Sequence, residues 1–215
     1  MSAAAIPPGT SPLIIGIGGS TRAGSTSERV LHACLERAQR LGSRTLAFSG
    51  EALRLPIYEV DGSARTDQAR ELVRAVSAAD GLIIASPGYH GGISGLVKNA
   101  LDYVEDLRGD PRPYLDGRAV GCVATAAGWQ AAGSTLQALR AVVHALRGWP
   151  TPLGVAVNSE LPVWSEDGAV ADAGLITQLE ILTGQVVDFA HRWQVPTTVE
   201  NLRPPAPERV SSQAS

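Results

Sequence analysis

The sequence predicts a domain of the α/β class, a three-layer sandwich in which helices cover both faces of a five-stranded parallel sheet. Three observations support this. Short apolar runs alternate in strict order with segments whose apolar residues recur at helical spacing, the mark of repeated βαβ units. The length, 215 residues, allows one well-buried core and is too short for two ordinary domains with linkers. The composition, 44% hydrophobic with 18% charged and 5% aromatic residues, is that of a globular chain rather than a disordered or fibrous one.

The first strand is residues 13–17, after which Val30, Leu31, Cys34, Leu35, Ala38 and Leu41 mark one face of a helix. A weaker second strand covers 45–48. Ala69, Leu72, Val73 and Val76 face the core from a second helix, and an Asp80-Gly81 turn leads into a third strand at 82–85. A third helix carries Leu96, Val97, Ala100, Leu101, Val104 and Leu107. A loop at 108–117, rich in Pro and Gly, precedes a fourth strand at 119–125 and a helix using Leu136, Leu139, Val142, Val143 and Leu146. That helix is expected to stop near Gly148-Trp149-Pro150, because proline cannot continue it. The fifth strand is 153–157, and Leu175, Ile176, Leu179, Leu182, Val186 and Phe189 face inward from the last helix.

The domain is thus expected over 13–194, with 1–12 a flexible N-terminus and 195–215, rich in Pro and Ser, a flexible or docking tail. Five strands and five helices in alternation suit the flavodoxin-like order 2-1-3-4-5, a count that several doubly wound folds share. In such sheets ligands bind outside the carboxyl ends of the strands where the order reverses, here between the first and third.

Charge and targeting signals narrow the function. A formal charge of -3 with scattered basic residues leaves no stripe to follow a phosphate backbone, so nucleic acid is not an expected partner. No stretch approaches the roughly 20 apolar residues of a membrane span. Residues 1–12 lack the basic and apolar regions of a signal peptide, so a cytoplasmic location away from membranes is expected. Cys34 and Cys122 have neither metal nor disulfide spacing and read as buried apolar residues. The four histidines, His32, His90, His144 and His191, show no metal-binding spacing, and no G-x-S-x-G elbow occurs.

Two loops flank the expected switch point. The first, 18–27, runs from the first strand into the first helix and is rich in Gly, Ser and Thr. Small residues let the backbone curl so that amides and hydroxyls point inward, and the helix N-terminus adds partial positive charge. Ser20, Ser25, Thr26 and Ser27 supply hydroxyls and Arg22 a full charge, a set suited to a monophosphate. A nucleoside triphosphate loop would need Lys after Gly24, where Ser25 stands, and the dinucleotide fingerprint begun at Gly16 and Gly18 meets Thr21 in place of its last glycine. The second loop, 86–95, offers Pro87, Gly88 and Gly91 for a shaped turn, the aromatic plane of Tyr89 and the ring of His90.

At this second loop the sequence resembles the NADPH-dependent FMN reductase family. Ser86-Pro87-Gly88-Tyr89-His90-Gly91 matches S-P-x-Y-x-G, and the stretch from Ser94 to Asp102, with Lys98, Asn99 and Ala100, matches S-G-x-x-K-N-A-x-D. Gly19 to Ser25 matches the family's G-S-x-R-x-G-S, and Leu55-Pro56-Ile57-Tyr58-Glu59 is similar to the segment after its second strand. Gly88 stands where a bulkier residue is common. The resemblance covers roughly residues 13 to 190.

It implies FMN as cofactor, with Ser20, Arg22, Ser25, Thr26 and Ser27 on its phosphate and Pro87, Gly88, Tyr89, His90 and Gly91 along its ring. Lys98, Asn99 and Asp102 would serve packing or assembly. A third loop, 125–133, would place Thr125, Ala127 and Gly128 at the pyrimidine end, where backbone amides favour the negative charge that reduction develops. Trp129 in that loop is read either as a stacking surface or as a packing residue. The resemblance further implies hydride transfer from NADPH or NADH to the flavin, a reaction that needs stacking and orientation more than acid–base groups. Reduced flavin would go to a flavin-dependent monooxygenase, or bound flavin would reduce quinones, azo compounds or metal ions. A homodimer or homotetramer is expected. The competing class is an FMN-binding electron carrier or regulator without turnover, against which the modest charge of -3 argues, since carriers dock through acidic surfaces.

Overall fold

The computed structural model describes residues 11–60, 65–166 and 168–193. The expected tail, 195–215, and most of the expected N-terminal segment lie outside the described residues. Strands β1 (Leu13–Gly18), β2 (Arg44–Ser49), β3 (Gly81–Tyr89) and β5 (Ala119–Ala126) form a parallel sheet in the order β2-β1-β3-β5. Two short strands, β6 (Trp149–Pro150) and β7 (Val155–Asn158), share the fifth position beside β5. This is the expected sandwich in the expected order, with β4 (Gly92–Ile93) added as a hairpin partner of β3.

Strand alternation decides which helix covers which face. Ile15, Ile17, Leu82, Ile84 and Cys122 point toward α2 (Asp67–Ala78), α3 (Gly95–Asp102) and α4 (Trp129–Ala145). Ile14, Ile83 and Val123 point the other way, toward α1 (Thr26–Arg40) and α5 (Ala173–Trp193). Both cysteines are buried, one in each layer, and burial pushes each thiol up to about 12. No helix among the described residues is long and apolar enough to cross a membrane.

Several details differ from the periodicity reading. Leu41 follows the last turn of α1 and is 46% exposed rather than buried. Val104 and Leu107 are buried in a separate 3-10 turn, Tyr103–Leu107, not in α3 itself. Helix α4 ends at Ala145, ahead of the expected stop, because Arg147 turns to φ 63°. The fifth strand begins earlier than expected and is broken, pairing with Ala119 and Val120, leaving the sheet, then rejoining at Val123. The Trp149 and Thr151 N–H groups donate to the Arg118 and Val120 carbonyls at 2.9 and 3.0 Å, and the ladder lapses at Leu153, whose N–H goes instead to Gln185 Oε1 of α5 at 3.1 Å.

The expected loop at 86–95 is mostly strand. β3 continues through Pro87 to Tyr89, and the chain reverses over His90 (φ 51°) and Gly91 (φ 85°) into β4. Two central residues at positive φ make a type I′ hairpin turn, in which histidine is tolerated and glycine favoured. Gly88 lies at the base of this hairpin, where a Cβ would stand 2.4 Å from Thr135 Oγ1 of α4. The hairpin can therefore lie on α4 only without a side chain at 88.

Polar staples fix the loops at both ends of the sheet. Arg118, wholly buried, donates to the carbonyls of Ala79 (3.0 Å), Ser77 (2.6 Å), Tyr114 (3.2 Å) and Asp116 (3.3 Å), tying the end of α2 to the start of β5. Burial pushes its guanidinium down to about 10. At the other end, Asn99 accepts the Tyr58 N–H at 2.8 Å and donates to the Pro56 carbonyl at 2.8 Å, holding the 55–59 segment on α3. Arg65 clasps Asp106 with two 2.8 Å bonds and lies over the Tyr58 ring. Asn99 thus has the packing role expected of it, and Lys98 pairs with Asp102 one turn along.

Two outcomes follow for stability. Arg118→Ala strands several buried carbonyls at once and is expected to cost about 3 to 5 kcal/mol in urea unfolding; a loss below about 1 kcal/mol would contradict the staple. Gly88→Ala is expected to cost about 1 to 3 kcal/mol through overpacking, and Thr135→Ala in the same chain to recover most of it. Additive losses in that double-mutant cycle would place the clash elsewhere.

Candidate functional site

Helix α1 starts immediately outside the carboxyl end of β1. Ser25 caps it, its Oγ accepting the Glu28 N–H at 3.4 Å, and Glu28 reaches back to accept the Gly24 N–H at 2.7 Å and the Ser49 hydroxyl at 3.1 Å. This is a capping box displaced by one residue. The next two amides, of Thr26 and Ser27, are the first of the helix and have no acceptor within it. The preceding turn is tied down by Gly19 N–H to the Ala85 carbonyl (3.1 Å), which joins the first loop to β3, and by Arg22 N–H to Ser20 Oγ (3.1 Å). The Arg22 side chain is exposed and makes no ion pair among the described residues.

These groups open onto a cleft of about 370 Å³. From the first loop Ser20, Thr21, Arg22, Ser25, Thr26 and Ser27 line it; from the hairpin, Pro87 and Tyr89; from the end of β5, Thr125, Ala126 and Ala127; from beyond β7, Ser159. Among the described residues no carboxylate lines the cleft. A converging set of hydroxyls, helix-start amides and one guanidinium suits a phosphate monoester, while Pro87, Tyr89 and the two alanines offer an apolar wall for a flat ring.

The remaining expected residues lie elsewhere. Gly88 faces α4 rather than the cleft. His90 occupies the exposed hairpin tip. Gly91 and Gly128 line a neighbouring cavity of about 420 Å³ that shares Ala127 with the cleft. The Gly128 amide is engaged by Asn158 Oδ1 at 3.0 Å, and the same oxygen accepts the Glu160 N–H at 3.1 Å. Asn158 thereby positions the turn after β5 from the neighbouring strand.

Thr21, Ala126, Asn158 and Ser159 are absent from the sequence expectation. Ending the fifth strand at 157 left its carboxyl end unread, although the rule that ligands sit at strand ends points there as well.

A larger groove, about 670 Å³, follows the flank of α1 past Glu28, Arg29, Glu36, Arg37 and Arg40. It mixes both signs of charge, and Arg37 and Arg40 stand in the last helical turn, where cations complement the dipole. Size does not mark the candidate site; the convergence of helix-start amides, hydroxyls and a guanidinium does.

Known proteins carry the same arrangement of chain. An FMN-dependent NADPH-azoreductase of Staphylococcus aureus is 28% identical over 145 residues, 63% of this chain and 73% of that protein. The flavoenzyme NAD(P)H:acceptor oxidoreductase FerB of Paracoccus denitrificans superposes with a TM-score of 0.66 at 19% identity, covering 84% of this chain and 98% of that one. An NADH:FMN oxidoreductase, EMOB, superposes at 0.62 with 24% identity, over 85% and 89%. The two structures show the shared fold. Residues 12–161, which contain all three loops, match the family model described as NADPH-dependent FMN reductase, and the chain belongs to that family of NAD(P)H:FMN oxidoreductases.

Proposed function

We propose that the protein holds FMN in the cleft between the first loop and the β3–β4 hairpin, reduces it with NADPH or NADH, and delivers the electrons to a small oxidant. Flavin reductase chemistry comes with the family; the placement and the oxidant are the proposal. The supporting observation is that the carboxyl ends of β1, β3 and β5 bring helix-start amides, hydroxyls, a guanidinium and an apolar wall to one cleft, with no carboxylate among its described residues.

FMN, when bound, supplies a redox centre that takes two electrons from a nicotinamide and releases them to an oxidant. The chain's residues have other tasks. The Thr26 and Ser27 amides, the hydroxyls around them and Arg22 would bind the phosphate, each charge-assisted contact gaining from the helix N-terminus. Pro87 and Tyr89 would border the ring, and Tyr89, 55% exposed, can move aside without disturbing the core. The Thr125 to Ala127 turn, anchored through Gly128 to Asn158, would present fixed dipoles to developing negative charge. No side chain has to move a proton, so a cleft without carboxylate or histidine suits this chemistry.

Reduction of small oxidants is favoured by the likeness to an azoreductase and by the openness of the cavity beside the cleft. A homodimer or homotetramer belongs to the same reading. Its support is the exposure of Ile57 (78%) and Val60 (77%), apolar side chains next to the Tyr58 anchor on α3.

Purified protein with catalytic FMN is expected to oxidise excess NADPH continuously in air. Arg22→Ala is expected to weaken FMN binding by about 1 to 3 kcal/mol, read as flavin fluorescence against protein concentration. Continuous turnover with unchanged FMN affinity in Arg22→Ala would move the phosphate away from the first loop; absence of turnover would remove the reductase reading.

A further inference from the structure

Of the four tryptophans, three are occupied. Trp164 lies under the Arg29 guanidinium at 3.8 Å, and Trp149 and Trp193 pack with Phe189 at ring separations of 6.0 and 5.3 Å. Trp129 has no ring or cation partner among the described residues and is 58% exposed. It is the first residue of α4, directly after Gly128, whose amide is fixed by Asn158. The backbone beneath this exposed indole is therefore held in place while its ring is left open.

Trp129 borders the cavity of about 420 Å³ between the hairpin tip and the first turn of α4. Gly91, Gly128, Ala131 and Ser134 are small walls of it, and Gln130 adds a carboxamide. Ala127 lines both this cavity and the cleft assigned to FMN, so the two spaces are neighbours at that residue. On its other side the indole borders a second hollow with Leu161 and Pro162. An open aromatic plane, several small neighbours and a place beside the redox site match the needs of a planar aromatic ligand, which gains from offset stacking as well as apolar burial.

We propose that Trp129 is the stacking platform of the oxidant subsite and sets its preference for planar aromatic over ring-free oxidants. This rests on the flavin reductase reading of the adjacent cleft. For a quinone the balanced reaction is NADPH plus a proton plus quinone giving NADP⁺ plus hydroquinone. The C4–H bond of the dihydronicotinamide breaks, its two electrons pass to the quinone, and two O–H bonds form using that hydrogen and one solvent proton. Trp129 takes no part in electron or proton bookkeeping; it positions the acceptor and sets its affinity.

The test compares 1,4-naphthoquinone with ferricyanide, an oxidant that has no ring to stack, in full-length protein loaded with FMN. In Trp129→Ala the ratio of kcat/KM for naphthoquinone to that for ferricyanide is expected to fall about tenfold, chiefly through the naphthoquinone KM, and Trp129→Phe to restore most of it. An unchanged ratio would overturn the subsite, whether both oxidants keep their rates, both lose equally, or Trp129→Ala shifts its oligomeric state by sedimentation. The last would assign the indole to a contact between copies of the chain. If wild-type protein oxidised NADPH with neither oxidant, the reductase reading would fall and the subsite with it.

Discussion

Two backbone amides at the start of α1 have no acceptor within their own helix, and none elsewhere among the described residues. Ser25 satisfies the Glu28 amide and Glu28 turns away to Gly24 and Ser49, so the capping residues that could have quenched the helix start leave Thr26 and Ser27 open. Unpaired amides at a positive helix end call for an anion or water. Here they face a cleft that also holds hydroxyls and Arg22 and no carboxylate. The functional reading depends on these two open amides and the donors gathered around them.

The fold exists around that point in a definite sense. Alternating isoleucines place α1 and α5 on one face of the sheet and α2, α3 and α4 on the other, so that β1 and β3 end side by side with loops leaving toward opposite faces. The Gly19 to Ala85 bond keeps the first loop against β3, the type I′ turn lifts Tyr89 beside it, and Asn158 holds the third loop from the neighbouring strand. Each of these is a backbone-level restraint. The cleft walls are therefore preformed, and the exposed Arg22, Tyr89 and Trp129 are the parts free to adjust to a ligand.

Much of this was legible beforehand, for physical reasons. Strands buried on both faces must be apolar throughout, and helices covering them must repeat at 3.6 residues, so runs such as 13–17 and faces such as Val30 to Ala38 declare themselves. The Gly- and Ser-rich turn was readable because few other sequences serve a helix start facing an anion. What escaped depended on partners distant in the chain. The fifth strand splits where the Leu153 N–H turns to Gln185, 32 residues on in α5, and pairing resumes along Val123 to Ala126. Gly88 looked like a ring contact until Thr135 supplied its reason. The roles of Asn158 and Ser159 arise from a neighbouring strand, a relation that no local spacing encodes.

The most direct measurement of the phosphate placement is a pair of amide nitrogen–proton correlation titrations, one with FMN and one with riboflavin, which has the ring but no phosphate. With FMN the Thr26 and Ser27 amide protons should move strongly downfield as each gains a charged acceptor, while riboflavin should move the hairpin and the 125–127 turn and leave those two amides in place. Thr26 and Ser27 amides unmoved by FMN, or moved alike by both ligands, would contradict a phosphate seated on the start of α1.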